Sequence, residues 1–416
     1  MRKFAALFCA ALALVTSRAV ASDLVSVGEN GVLSAVHIRN RQAALFTGQF
    51  ALPASSQAIE LVKIRYRSHN QKGRAVTLSG LLAIPKGGAP KGLALYLHGT
   101  TADRNMSPSR WQGGTNGSET EAATLALATG GYAVVMPDYL GLGDDPGVHP
   151  YPLGAVNCVS GIDMIGPARE AASRLKIAVG PKLWVTGYSE GGAVAMWATR
   201  ELEKRQGALY RVTAAAPLSG PYDLTGATAQ SMVSRSTKAP VLSARLYLAA
   251  YIGYTMSHNT AGVRLKDYFT STIASAIPQV FGHGLTDATI MKNLALKGLR
   301  VGTLLSIERA LTPRFRDALR KSDTTDPIVR QLKANDCFDW KPQTKMLLVC
   351  VKDDDIVWDE NTANALTAMR NRGVGDDTAQ NYVLSSSFNH VTGVPPALSV
   401  ARRFFDGGFA GVAKKP

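Results

Sequence analysis

One stretch, residues 182–198 (KLWVTGYSEGGAVAMWA), limits what this chain can fold into more than any other. Residues 183–186 are apolar or β-branched and read as a buried strand, the residues from Ala193 onward favour helix, and only a short Gly-rich turn separates the two. A strand that gives way so abruptly to a helix needs a turn with little room for side chains, and Gly187 and Gly191 flank it. Ser189 falls at its tip within a G-x-S-x-G pattern, where a strained backbone would lift the hydroxyl above the sheet and aim the following N–H groups at the same space. The pattern alone is weak: with 39 glycines in 416 residues it arises by chance in about one such chain in four. The competing reading is an ordinary turn whose serine only caps the helix. Context separates the two, and the β-rich run before with the Ala-rich run after favours a nucleophile at Ser189.

Residues 1–21 stand apart from any fold. Arg2 and Lys3 give a positive start, residues 4–15 an apolar run and Ala19-Val20-Ala21 a small-residue cleavage site, so they read as a signal peptide removed before Ser22. That run is too short to span a bilayer, and no later segment is apolar enough for an integral membrane span. The mature chain is therefore expected to be secreted or periplasmic. About 395 residues remain, more than one core usually holds, which points to a large domain with an insertion or to two domains. The formal charge of +15 falls to +12 when Arg2, Lys3 and Arg18 leave with the leader. The basic residues are scattered and form no run interleaved with aromatics, which argues against a nucleic-acid partner and leaves general solubility, with loose adsorption to anionic surfaces. Export permits a disulfide, and Cys158, Cys337 and Cys350 guarantee one odd thiol. The pair expected is Cys337 with Cys350, with Cys158 a buried thiol in an apolar helix. No Cys/His spacing marks a metal site, and nothing calls for a cofactor.

Residues 22–56 are mixed in character and give no clear element. Beyond them, residues 60–68 alternate apolar and polar, and residues 75–85 read as their antiparallel partner. Continuous apolar runs follow at 92–97, 132–136, 183–186 and 212–216, with helical stretches at 119–129 and 155–175 between them, the rhythm of a doubly wound sheet buried on both faces. From 224 to 340 the rhythm changes to helical periodicity, with a helix start at Asp326-Pro327. Strands resume at 345–351 and 381–385, separated by a helix over 359–370 and followed by one over 396–405. The expected organisation is a core in two parts, 22–223 and 341–416, with 224–340 an inserted helical cap.

A serine hydroxyl needs a base within hydrogen-bond reach, and the imidazole that supplies it needs a carboxylate to fix its tautomer. The chain offers these in the order Ser189, an aspartate among residues 353–355, and His390, the last two each just past the end of a predicted strand. All three would meet at one edge of the sheet. The joint arrangement is far more specific than the serine motif.

These residues resemble the α/β-hydrolase superfamily and, more narrowly, its secreted lipase/esterase branch. The resemblance runs from about residue 60 to the end. It is carried by His98-Gly99-Thr100, DYLGLG at 138–143 with VHPY at 148–151, GYSEGG at 187–192, GPYD at 220–223, FDWKP at 338–342 and the turn Asp354-Asp355-Ile356-Val357. It implies Ser189 as nucleophile, His390 as base and Asp354 as acid, since that turn matches an Asp-x-hydrophobic-Val pattern. Lys352 and Trp358 stand where such proteins usually have Gly and Pro, which keeps Asp355 as a rival. The backbone amides of Thr100 and Glu190 are implied as the oxyanion hole. His98 is expected to shape its loop, and Asp138, His149 and Asp223 to bond turns at strand ends, with the mouth of the site a second place for His149. His37, His69, His258 and His283 have no partner pattern.

The resemblance implies a secreted serine hydrolase that cleaves carboxylic esters, a lipase or esterase acting on acyl glycerols. The alternatives on the same fold are a hydrolase of cell-wall or aromatic esters and a peptidase. A non-enzymatic binding protein is the rival of another class, and the complete Ser–Asp–His set argues against it. The cap, where substrate choice would lie, is the part a single sequence says least about.

Overall fold

The computed structural model describes residues 22–114 and 118–413, so the signal peptide expected over 1–21 lies outside the described residues. In chain order the elements are β1 (Leu24–Leu33), α1 (Ala35–Leu45), β2 (Ile59–His69), β3 (Ala75–Pro85), β4 (Gly92–Leu97), α2 (Ser118–Ala128), β5 (Ala133–Pro137) and α3 (Gly154–Arg174). Then come β6 (Lys182–Tyr188), α4 (Glu190–Glu203) and β7 (Val212–Leu218). A run of helices follows: α5 (Ala227–Val233), α6 (Ala239–Asn259), α7 (Ser271–Val280), α8 (Asp287–Arg300), α9 (Pro313–Lys321) and α10 (Pro327–Ala334). The chain closes with β8 (Met346–Val351), α11 (Glu360–Asn371), β9 (Ala379–Leu384) and α12 (Val394–Gly407).

The described strands form one sheet in the order β1-β2-β3-β5-β4-β6-β7-β8-β9. The first three pair antiparallel and everything from β5 onward runs parallel. Strands β4 to β8 are buried on both faces, which explains their continuous apolar sequences. Helices α3, α4 and α11 cover one face around Ile162, Met196 and Met369. Helices α1, α2 and α12 cover the other around Ile38, Leu125 and Phe404. Since β4 pairs with β5 on one side and β6 on the other, the winding reverses there, and the loops leaving β4 and β6 diverge from one crevice. That crevice holds the site described below.

Two elements escaped the sequence reading. Strand β1 has two glycines and two register irregularities against β2, and only Leu24, Asn30 and Leu33 of its residues are buried, so it shows no alternation. Helix α1 buries only Ile38 and Gln42, too few to mark an apolar stripe.

The helices between β7 and β8 close over their own apolar cluster, which includes Leu246, Met256, Phe269, Ile277 and Phe315. A stack of rings joins this block to the sheet side: Tyr251 of α6 lies 4.9 Å from Tyr151, in the loop before α3, and 4.9 Å from Phe281. Offset stacking adds to the apolar burial at such a joint.

The expected disulfide does not form, because Cys158, Cys337 and Cys350 are all free and buried. Cys337 turns its sulfur toward Ala193 O of α4 at 3.8 Å, whereas Cys350 belongs to β8, where its thiol faces Thr362 of α11. Burial pushes the Cys350 and Cys158 thiols up to about 12, leaving them as inert packing groups.

Candidate active site

Strand β6 ends in the turn that the sequence singled out. Ser189 adopts φ 58° and ψ −124°, a conformation that L-residues rarely hold, and its N–H donates to Leu218 O at 2.9 Å. The flanking glycines are steric necessities. A Cβ on Gly187 would lie 2.3 Å from Gly191 O, and one on Gly191 would lie 1.9 Å from Leu97 O. Helix α4 starts directly after the serine, so the Glu190 amide belongs to the first helical turn, where no preceding turn supplies an acceptor.

Asp354 follows β8 and is buried. Its Oδ1 accepts from the N–H groups of Ile356 (2.9 Å) and Val357 (3.1 Å), and its Oδ2 meets His390 Nδ1 at 2.7 Å. Asp355 points elsewhere: its carboxylate bonds Lys238 Nζ at 2.5 Å, and its carbonyl accepts from Arg245 Nη2 at 2.7 Å. His390 follows β9 in a turn pinned by Asn389, whose Oδ1 accepts from the N–H groups of Val391 and Thr392, both at 2.9 Å. Tyr188 OH holds the His390 carbonyl at 2.6 Å, and His390 Nε2 lies 2.8 Å from Ser189 Oγ. A proton on Nδ1, shared with Asp354, leaves Nε2 as the acceptor for the serine hydroxyl.

These groups open onto a cavity of about 580 Å³ between the carboxyl edge of the sheet and the helical block. Thr100 and Glu190 line it beside Ser189 and His390, while Leu248, Ile252 and Met291 supply much of its apolar wall. The Glu190 side chain turns away into a buried network in which its Oε1 accepts from Asn157 Nδ2 (3.0 Å) and meets His149 Nε2 at 2.9 Å. His149 is thus buried behind Ser189, its Nδ1 2.9 Å from Leu140 O, and does not stand at the mouth of the site. His98 shapes its loop, with Nδ1 2.7 Å from Gly99 O. Asp138 receives Ser79 and Ser109, and Asp223 caps the turn into α5 through Gly226 and Ala227.

Three residues of the site had no sequence signal, because each sits in a helix outside any motif. Arg245 is buried at the cavity wall and ties α6 to the Asp355 carbonyl. Asp287 reaches the loop after β4. Glu119 lines the cavity and accepts from Tyr96 OH (2.7 Å) and Gly99 N–H (2.6 Å). Burial raises the Glu119 carboxyl above the usual range, against the pull of His98, of its two donors and of His390. A raised folded-state value means that the stability associated with the neutral acid is complete below the ordinary carboxylate range and is lost as pH rises through the folded value. Glu119→Gln, neutral throughout, is therefore expected to melt progressively above the wild type as pH rises from about 4. Thermal scans at several pH values check this, and a gap that stays flat or shrinks with pH refutes it.

The strand order, the serine turn after β6, and Asp354 and His390 after β8 and β9 define an α/β-hydrolase fold. No protein-family model matches the chain, and no curated protein matches it. Solved structures do. A Legionella pneumophila protein assigned to the hydrolases is similar at 26% identity and TM-score 0.79, covering 94% of this chain and 99% of its own. The rice cell wall degrading esterase LipA from Xanthomonas oryzae follows at 23% identity and TM-score 0.72, covering 94% of this chain and 96% of its own. Candida antarctica lipase A shares the fold at 15% identity and TM-score 0.62, covering 95% of this chain and 83% of its own.

Proposed function

We propose that this chain is an exported serine hydrolase that cleaves carboxylic esters through an acyl-enzyme. The observation that carries the reading is the unbroken relay from Asp354 Oδ2 to His390 Nδ1 at 2.7 Å and from His390 Nε2 to Ser189 Oγ at 2.8 Å, opening onto an apolar cavity. Ser189 Oγ attacks the ester carbonyl carbon while its proton passes to His390 Nε2. The imidazolium that forms is stabilised by Asp354 and then protonates the departing alkoxide, leaving an acyl group on Ser189. Water, deprotonated by the same nitrogen, attacks the acyl carbon; the Ser189 Oγ–acyl bond then breaks, His390 Nε2 returns the proton to Ser189 Oγ, and the acid leaves. The amides of Thr100 and Glu190 receive the oxyanion at each step, a contribution of about 3 kcal/mol per donor in enzymes of this kind.

The helices over 224–340 act as a cap, and their leucine, isoleucine and methionine side chains give the cavity the character of an acyl site. Neighbours named as a lipase and as a cell wall degrading esterase agree with ester chemistry, and within it acyl glycerols are the favoured substrates, with polymer esters next. Residues 224–340 contain fifteen Lys and Arg against seven Asp and one Glu, so adsorption to an anionic surface would be led by the cap.

Purified mature protein is expected to react with a fluorophosphonate probe at Ser189 and to hydrolyse p-nitrophenyl esters, with the rate varying along the series from acetate to palmitate. The chain-length profile reads the depth of the apolar cavity. A folded protein that neither labels nor turns over any ester in the series leaves only the binding-protein reading.

A further inference from the structure

The loop after β4 has to present one free N–H, that of Thr100, to the reacting oxygen, and its neighbours on both sides are tied to carboxylates. On the near side Glu119 of α2 accepts from Gly99 N–H at 2.6 Å. On the far side the partner comes from the cap. Asp287, at the start of α8, accepts from Ala102 N–H at 2.8 Å through Oδ1 and from Thr101 Oγ1 at 2.7 Å through Oδ2. Tyr247 OH of α6 donates to the same Oδ1 at 2.7 Å and holds the carboxylate in place. Tyr251 OH, also from α6, donates to Thr101 O at 3.2 Å. The peptide unit joining Thr101 to Ala102 is therefore gripped at its oxygen and at its N–H by groups 150 and 185 residues away in sequence, both of them from the cap.

Helix capping does not account for this carboxylate. Thr286 caps α8 by accepting from Thr289 N–H at 3.2 Å, so the helix start is satisfied without Asp287. Nor is Asp287 part of an ion pair holding the cap shut, because its partners are a backbone N–H and two hydroxyls. A charged acceptor bonded to an N–H and two O–H groups is a strong and directional restraint.

We infer that Asp287 is a positioning residue that completes the oxyanion hole from the cap: by fixing the Thr101–Ala102 peptide it sets the direction of the Thr100 amide, and the hole is assembled only when the cap is seated. This rests on the proposed ester hydrolysis at Ser189. It adds that the cap takes part in transition-state stabilisation as well as in forming the acyl wall. A hydrogen-bond donor misdirected by even about 1 Å can lose much of its effect on a rate, on the order of a hundredfold.

The test uses the full mature chain with Asp287→Ala, Asp287→Asn and Tyr251→Phe, assayed on a p-nitrophenyl ester and titrated with two ligands. One is an alkyl trifluoromethyl ketone, which adds Ser189 Oγ and places an oxyanion in the hole; the other is the alcohol of the same chain, which fills the cavity without one. Asp287→Ala is expected to lower kcat about ten- to a hundredfold with KM little changed. The trifluoromethyl ketone should weaken by the same factor and the alcohol should bind as in the wild type. Asp287→Asn keeps an acceptor for Ala102 N–H and should recover part of the loss. Tyr251→Phe keeps the ring stack, removes only the bond to Thr101 O, and should give a smaller loss of the same kind, which preserves the test if Asp287→Ala does not fold.

Unchanged kcat in Asp287→Ala overturns the inference. So does a loss shared equally by ketone and alcohol, which is the signature of a disordered cap wall. Ser189→Ala separates this failure from that of the underlying reading: turnover surviving in Ser189→Ala removes the nucleophile itself, whereas turnover lost there but intact in Asp287→Ala removes only the role of the cap.

Discussion

Replacing Ser189 with alanine is expected to lower kcat/KM for a p-nitrophenyl ester by about 10⁴- to 10⁶-fold, the range found when a nucleophile that acts as one unit with its base is removed. Ser189 Oγ lies 2.8 Å from His390 Nε2, and among the described residues no other hydroxyl meets that nitrogen. Residual turnover would come from the two amides and the cavity, which remain. The backbone adds a second readout. Ser189 sits at φ 58°, and strain of this kind costs about 1–3 kcal/mol and persists for any residue with a Cβ. Ser189→Ala should therefore melt close to the wild type. Ser189→Gly, equally inactive, relieves the strain at a cost of only about 0.5–1 kcal/mol in chain entropy and should melt higher. A thermal series with Gly below Ala would mean that the turn is unstrained and that the conformation serves no catalytic end. A Ser189→Ala enzyme with most of its activity intact would mean that the nucleophile lies elsewhere.

The serine turn was legible because its constraint is local. A strand, two glycines that cannot carry a Cβ and a helix start must succeed one another within a dozen residues, and the sequence shows all three. Asp354 and His390 were legible by a different route: each follows a predicted strand, the fully apolar β8 and the mixed β9, and a parallel sheet delivers the ends of its strands to one edge. What stayed hidden depends on contacts across the fold. Asp287 and Glu119 grip the same loop from helices 168 residues apart by number, and neither helix carries a pattern that says which way its carboxylate points. Strand β1 was missed because its pairing is irregular, and the disulfide was misassigned because sequence spacing says nothing of which face of a strand a sulfur occupies. Periodicity reports burial; it does not report the partner.

Adjacent aspartates offer the sharpest test of the site. Asp354→Asn is expected to lower kcat about 10⁴-fold, and Asp355→Asn no more than a few-fold. The difference lies in what surrounds each carboxylate. Asp354 Oδ1 faces two backbone N–H groups, from Ile356 and Val357, so an asparagine there must keep its carbonyl oxygen on that side. Its NH₂ group is then forced toward His390 Nδ1, which must become an acceptor. The ring proton moves to Nε2, where it confronts Ser189 Oγ with a donor in place of the lone pair that should remove the serine proton. Geometry is preserved while the tautomer is inverted, so folding and ligand binding should be unchanged as kcat falls. The Asp355 carboxylate meets Lys238 in an exposed pair of the kind that contributes about 0–1 kcal/mol. Its tie to Arg245 runs through the main-chain carbonyl, which the substitution leaves untouched. Kinetics of the two variants on one ester decide the register: a large loss in Asp355→Asn with Asp354→Asn near normal would move the acid one residue along and break the chain of contacts on which the mechanism depends.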